Sequence, residues 1–176
     1  MAEPGGQGTT SAPMRAPATA GEVMRPALTA AEPNDHVAAA AYLMRHAGVT
    51  SLVVITDEEA RKPVGLITES DIVRAVADGK NLNDVRILAQ MTGNPVVIRT
   101  TASIQEAART MVAGHFRHLP VVGDDGGLKG MVDILDICAA LLGPAAGYPV
   151  GADGTKERAR YDPEQAMKAR RNRRSG

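Results

Sequence analysis

An α+β fold built from two copies of one βαββα-type unit, packed sheet to sheet, is what this 176-residue sequence predicts. Three observations carry the expectation. The middle of the chain repeats itself. Each copy passes from a helical stripe into two short β-rich runs. The apolar content of 44% includes only 2% aromatic residues, so the core must be made of Val, Ile, Leu, Met and Ala. A unit of about 60 residues can hardly bury its sheet alone, whereas two such units packed together can.

The repeat is read by shifting the chain by 67 residues, which lays Met24 on Met91, Val37 on Ile104, Met44 on Met111, Leu52 on Leu119 and Val54 on Val121. After the longer connection Thr56 to Pro63 the shift becomes 65, and Gly65 meets Gly130, Asp71 meets Asp136 and Ile72 meets Ile137. One register change in a surface connection is what a duplicated fold tolerates. Each copy opens with an extended segment, Pro26 to Thr29 and Pro95 to Ile98. Val37, Ala40, Ala41 and Met44 then fall on one helical face, as do Ile104, Ala107, Ala108 and Met111. Ser103 with Glu106 three residues on is a capping-box pattern, and Gly48 and Gly114 stand where these helices should stop. Two hairpins follow, Leu52 to Ile55 with Val64 to Ile67, and Leu119 to Val122 with Leu128 to Val132. Helices over Glu69 to Ala77 and Ile134 to Leu142 close the units.

Charge is unevenly spread. Residues 21–142 hold 11 basic and 15 acidic side chains, and residues 143–176 hold eight basic and four acidic ones, so the net charge of zero is a cancellation. An acidic body argues against nucleic-acid binding by the folded part. No apolar run approaches the roughly 18 residues of a membrane span, and Met1 to Ala20 has no apolar signal region. A cytoplasmic protein without membrane contact is expected. Residues 1–20, rich in Gly, Pro, Ala, Ser and Thr, read as a disordered segment. Residues 21–79 and 80–142 are the two repeats, and residues 143–176 read as a flexible basic tail ending in Lys168, Arg170, Arg171, Arg173 and Arg174.

The motifs at the repeat openings and turns carry a family resemblance. They are Val23-Met24 and Gln90-Met91-Thr92, the run Phe116-Arg117-His118-Leu119-Pro120-Val121-Val122, and the pair Gly65-Leu66-Ile67-Thr68-Glu69-Ser70-Asp71 and Gly130-Met131-Val132-Asp133-Ile134-Leu135-Asp136. Over residues 21–142 the chain resembles a tandem pair of CBS domains, the Bateman module. The resemblance implies pseudo-two-fold symmetry with two clefts between the repeats, a homodimer, and an adenosine-containing regulatory ligand: AMP, ADP, ATP or S-adenosylmethionine. It implies no cofactor and no catalysis, and an effector protein that the sequence leaves unidentified. It places the ribose hydroxyls on Asp71 and Asp136, and phosphate on Thr68 at the start of a helix. That chemistry is sound, since a carboxylate accepts from both hydroxyls and a helix N-terminus offers free N–H groups to an anion.

Asp133 departs from the pattern by putting a carboxylate where the family has a hydroxyl. Two like charges about 4 Å apart cost on the order of 4 kcal/mol at an effective dielectric near 20. The second motif therefore suits a nucleoside-like or cationic ligand, or none, unless a metal ion bridges Asp133 and a phosphate. Helix capping alone also explains Thr68 with Asp71 and Asp133 with Asp136. Arg117 and His118 lie beside the expected cleft, as phosphate partners or as a solvated pair at a strand entrance. His36, His46 and His115 lack metal-ligand spacing, and Cys138 is expected as a buried, inert thiol on the apolar side of the last helix. No nucleophile–base arrangement and no Gly-rich phosphate loop is visible, which leaves two functional classes: a ligand sensor, or a ligand-free dimeric interaction module acting through its surface and tail.

Overall fold

The computed structural model describes residues 19–27, 30–56 and 60–142. The basic tail, and all but the last two residues of the segment expected to be disordered, lie outside the described residues. The elements in chain order are α1 (Ala20–Val23), β1 (Arg25–Pro26), β2 (Ala30–Ala31), α2 (Val37–Ala47), β3 (Ser51–Ile55), β4 (Pro63–Thr68), α3 (Glu69–Ala77), a 3-10 turn at Ile87–Ala89, β5 (Thr92–Gly93), β6 (Ile98–Arg99), α4 (Ile104–Gly114), β7 (His118–Val122), β8 (Leu128–Asp133) and α5 (Ile134–Leu142). They form two four-stranded sheets, ordered β2-β3-β4-β5 and β1-β8-β7-β6.

The duplication is written into the strand register. In one hairpin Ser51 faces Thr68 and Val54 faces Gly65, with an irregularity before Ile55. In the other His118 faces Asp133 and Val121 faces Gly130, with the irregularity before Val122. β3 is buried along its whole length because its two faces have different neighbours. Leu52 and Val54 pack with Val37, Ala40, Met44, Ile67 and Ile87 in the first core. Val53 and Ile55 meet Leu128 and Met131 of the other sheet. The second core gathers Ile104, Ala107, Met111, Leu119, Val121, Val132 and Ile137.

The expected extended openings are each split in two, and the first piece crosses over. β1 pairs antiparallel with β8 of the second repeat, and β5 pairs antiparallel with β4 of the first. β2 and β6 then pair in parallel with β3 and β7 of their own repeats. The N-terminal stretch follows β1: the Ala20 and Gly21 amides donate to Ala102 and Thr100 carbonyls at 2.8 and 2.9 Å, and Ala20 and Val23 belong to the second core. Each repeat therefore lends its opening strand to its twin.

Two expectations are corrected. Cys138 is exposed; α5 buries Asp136, Ile137, Ala139 and Ala140 and turns Cys138 and Leu141 outward. Nearly every side chain of this helix is apolar, so periodicity cannot tell its inner face from its outer one. Gly114 does not supply the turn that ends α4. His115 does, at φ 54°, whereas a Cβ on Gly114 would stand 2.1 Å from the Phe116 ring. Gly114 serves close approach, while Gly48, at φ 64°, supplies the left-handed cap of α2 as expected.

Candidate functional site

The hairpins end where α3 and α5 begin, so the two helix starts and the two strand entrances meet between the sheets. The residue just before the neighbouring strand, β3 or β7, holds the first amide of each helix: Glu69 N–H donates to the Thr50 carbonyl at 3.0 Å, and Ile134 N–H to the Arg117 carbonyl at 2.9 Å. A hollow of about 540 Å³, open to solvent, lies between the helix starts and is lined by Thr68, Ser70, Arg117, His118, Asp133 and Leu135, among others. A second, narrower hollow shares Thr50, His118 and Asp133 with it and reaches Arg25, Met131 and Asp136. The two are adjoining compartments of one cleft.

At α3, Thr68 and Asp71 form a reciprocal capping box. Asp71 N–H donates to Thr68 Oγ1 at 3.3 Å, and Asp71 Oδ2 accepts from Thr68 N–H at 2.9 Å and from Thr68 O–H at 2.7 Å. Asp71 Oδ1 has only the exposed Arg74 guanidinium, 3.4 Å away, an interaction worth little in water. Asp71 is buried and stands behind Thr68; it does not line either hollow.

The start of α5 is differently wired. Asp133 Oδ1 accepts from the Leu135 and Asp136 amides at 2.7 and 3.0 Å. Asp136 Oδ2 accepts from Asp133 N–H at 3.1 Å. Arg25, delivered by β1, donates through Nη2 to Asp133 Oδ2 and to Asp136 Oδ1, the latter at 3.1 Å. The repulsion expected of Asp133 is thus offset by a cation of the chain itself. Arg25 Nε is buried without an acceptor among the described residues.

Across the cleft His118 Nε2 and Thr50 Oγ1 share a hydrogen bond of 2.9 Å that ties the repeats together. Burial holds the His118 imidazole below its ordinary value of 6.5; Asp133 opposes this, Arg117 and Arg25 add to it, and Asp136 opposes it again. Because the folded value is the lower one, protonation favours the unfolded chain. The contribution is fully present above pH 6.5 and is lost as pH falls toward the folded value. Taking thermal melting from about pH 7.5, one unit above a free imidazole, down to about pH 5 should therefore cost the wild type more than His118→Gln. Equal losses would show that His118 carries no such linkage.

Five of the six residues singled out in the sequence line the cleft: Thr68, Asp133, Asp136, Arg117 and His118. Arg25 and Thr50 were missed. The signal for Arg25 was present in the repeat itself: aligned residues replace Arg25 and Asp133 by Thr92 and Thr68 together. Among the described residues no helix is long and apolar enough to cross a membrane.

The family model for the CBS domain matches the chain twice, over residues 20–78 and 83–143. An uncharacterized protein of Methanopyrus kandleri is 35% identical over 119 residues, which is 66% of this chain and 59% of that protein, so the match spans less than two thirds of that relative. Among solved structures, the CBS domain pair of protein MJ0100 in complex with 5′-methylthioadenosine and S-adenosyl-L-methionine has a TM-score of 0.64 at 26% identity, covering 72% of this chain and 97% of that one. CBSX2 in complex with AMP has a TM-score of 0.59 at 28% identity, covering 70% of this chain and 96% of that one.

Proposed function

Because the chain belongs to the CBS-domain family, matched once by each of its repeats, we propose that it is a regulatory module in which an adenosine-containing ligand seats between the repeats and a partner protein reads the occupancy. The observation that carries this reading is the cleft at the helix starts. It brings Asp136, the hydroxyl residues Thr50, Ser51, Thr68 and Ser70, and Arg117 and His118 around a space open to solvent. A ribose against Asp136 would lie at the start of α5, while Arg117 and the start of α3, where a helix N-terminus favours negative charge, line the adjoining hollow. The solved neighbours that hold AMP, or 5′-methylthioadenosine and S-adenosyl-L-methionine, support the ligand class. A ligand shifts the module only by its differential affinity for two arrangements of the repeats.

Calorimetric titration with AMP, ADP, ATP and S-adenosylmethionine tests the proposal, with Asp136→Asn and Asp71→Ala as controls. Heat that depends on either carboxylate supports it. Nucleotide-silent titration and melting would leave the ligand-free interaction module. A family with regulatory members of this kind supplies no catalytic group here, and the reading includes none.

Assembly belongs to the same proposal. Val73 and Val76 on α3, with Leu135, Leu141 and Leu142 on α5, leave apolar side chains exposed on the two helices that close the repeats. A second copy laid on these helices would bury them. Sedimentation of the wild type should give a dimer, and the double substitution Val76→Glu, Leu141→Glu should give a monomer. A monomeric wild type would remove the dimer.

A further inference from the structure

We propose that Arg25 and Asp133 set the ligand preference of the Asp136 compartment, making it a seat for adenosine compounds whose 5′ substituent carries no phosphate. The inference rests on the adenosine reading above and narrows it. It begins from a comparison the fold itself makes. In the strand pairing Arg25 stands opposite Met131, and Thr92 stands opposite Leu66 at the equivalent place. Asp133 and Thr68 likewise occupy equivalent places, facing His118 and Ser51 across their hairpins. One repeat therefore has two hydroxyls where its twin has a cation and an anion, while the carboxylates Asp71 and Asp136 are kept in both.

The chemical consequence is an anion seat that is open in one repeat and filled in the other. At α3 the neutral Thr68 hydroxyl takes the Asp71 amide and leaves the Ser70 amide, on the wall of the hollow, to solvent or an anion. At α5 the Asp133 carboxylate takes both the Leu135 and Asp136 amides. Its other oxygen holds Arg25, the cation that would otherwise meet a phosphate. A phosphate entering beside Asp136 has to displace Asp133 from two amides and a guanidinium, and then sits against two carboxylates. A thioether or a hydroxyl meets no such barrier. A sulfonium meets two carboxylates facing one guanidinium, a favourable balance. Arg117 lines the adjoining hollow and not that of Asp136, with His118 between the two, so the cation draws phosphate toward the α3 side of the cleft.

The test is methyl NMR of ¹³C-methionine protein, following Met131, which lines the Asp136 compartment. The probes are 5′-methylthioadenosine and AMP, titrated into the wild type, Asp133→Thr, and the double variant Arg25→Thr, Asp133→Thr. In the wild type the Met131 methyl should respond to 5′-methylthioadenosine at concentrations at least about tenfold below those of AMP, a gap of about 1.4 kcal/mol. Thr at 133 caps a helix as Thr68 does in the twin, and it frees Arg25 for phosphate, so Asp133→Thr should reverse the order. The double variant should show little difference between the two ligands. Equal midpoints in the wild type, which need no variant to fold, overturn the proposal and leave the adenosine reading standing. An order unchanged by Asp133→Thr does the same. No response of Met131 to either ligand in any of the three proteins removes both.

Discussion

Asp136→Asn is expected to weaken adenosine binding by at least about thirtyfold while the chain stays folded. A ribose presents two neighbouring O–H donors, and an ionised carboxylate accepts from both. Asn offers one acceptor oxygen and sets an NH₂ donor against the second hydroxyl. Hydrogen bonds to charged groups are worth about 1.5–3 kcal/mol each, so losing one costs between about tenfold and about 150-fold, and losing two costs more. The fold should tolerate the change. The substituted carboxamide keeps an oxygen for the Asp133 amide, which now donates to Asp136 at 3.1 Å; Arg25 loses its bond to Asp136 Oδ1 but keeps the one to Asp133. Calorimetry with the tightest ligand of the panel measures the loss, and urea unfolding of the same protein checks that stability falls by no more than about 3 kcal/mol, the worth of the one bond to Arg25 that is lost. An affinity equal to that of the wild type would mean that the ribose does not sit on this carboxylate.

The hairpins and the helices that close the repeats were legible because their signals are local. Short aliphatic runs flanked by turn residues give Ser51–Ile55, Pro63–Thr68, His118–Val122 and Leu128–Asp133 to within a residue or so of the expected bounds. Capping chemistry gives the starts of α3 and α5 in the same way. The exchange of opening strands was not legible. A two-residue strand has no periodicity, and its pairing is decided by contacts far along the chain. Arg25 is the sharpest case, since its partner Asp133 lies 108 residues away. Asp133 could be recognised as a misplaced charge from the motif alone, whereas its counter-ion shows only as a paired change between the aligned repeats, where Thr92 and Thr68 stand in place of Arg25 and Asp133. The inner face of α5 failed for the opposite reason: too many apolar residues rather than too few.

Gly130→Ala should be the most damaging single methyl that can be added to the chain's sheets, and its contrast with Gly65→Ala tests the strand exchange. Both glycines sit at equivalent places, and a methionine from the twin's opening segment lies over each. The neighbours differ in kind. The three nearest atoms to a Cβ at Gly65 all belong to the Met91 side chain, its sulfur closest at 2.3 Å, and that flexible thioether can swing aside. A Cβ at Gly130 would stand 2.5 Å from the Arg25 carbonyl oxygen and 2.7 Å from the Met24 sulfur. Backbone cannot swing aside, so β1 must lift from β8. Overpacking of this kind costs about 3 kcal/mol, at the upper end of the usual range, against about 1 kcal/mol for Gly65→Ala. For a folded part of this size the larger loss lowers the melting temperature by roughly 10 °C. Lifting β1 also withdraws Arg25 from Asp133 and Asp136, so Gly130→Ala should change ligand preference in the direction of the freed cleft, whereas Gly65→Ala should not. Equal destabilisation by the two substitutions, measured by urea unfolding, would mean that β1 does not press on Gly130, and the route by which the first repeat reaches the second repeat's site would be lost with it.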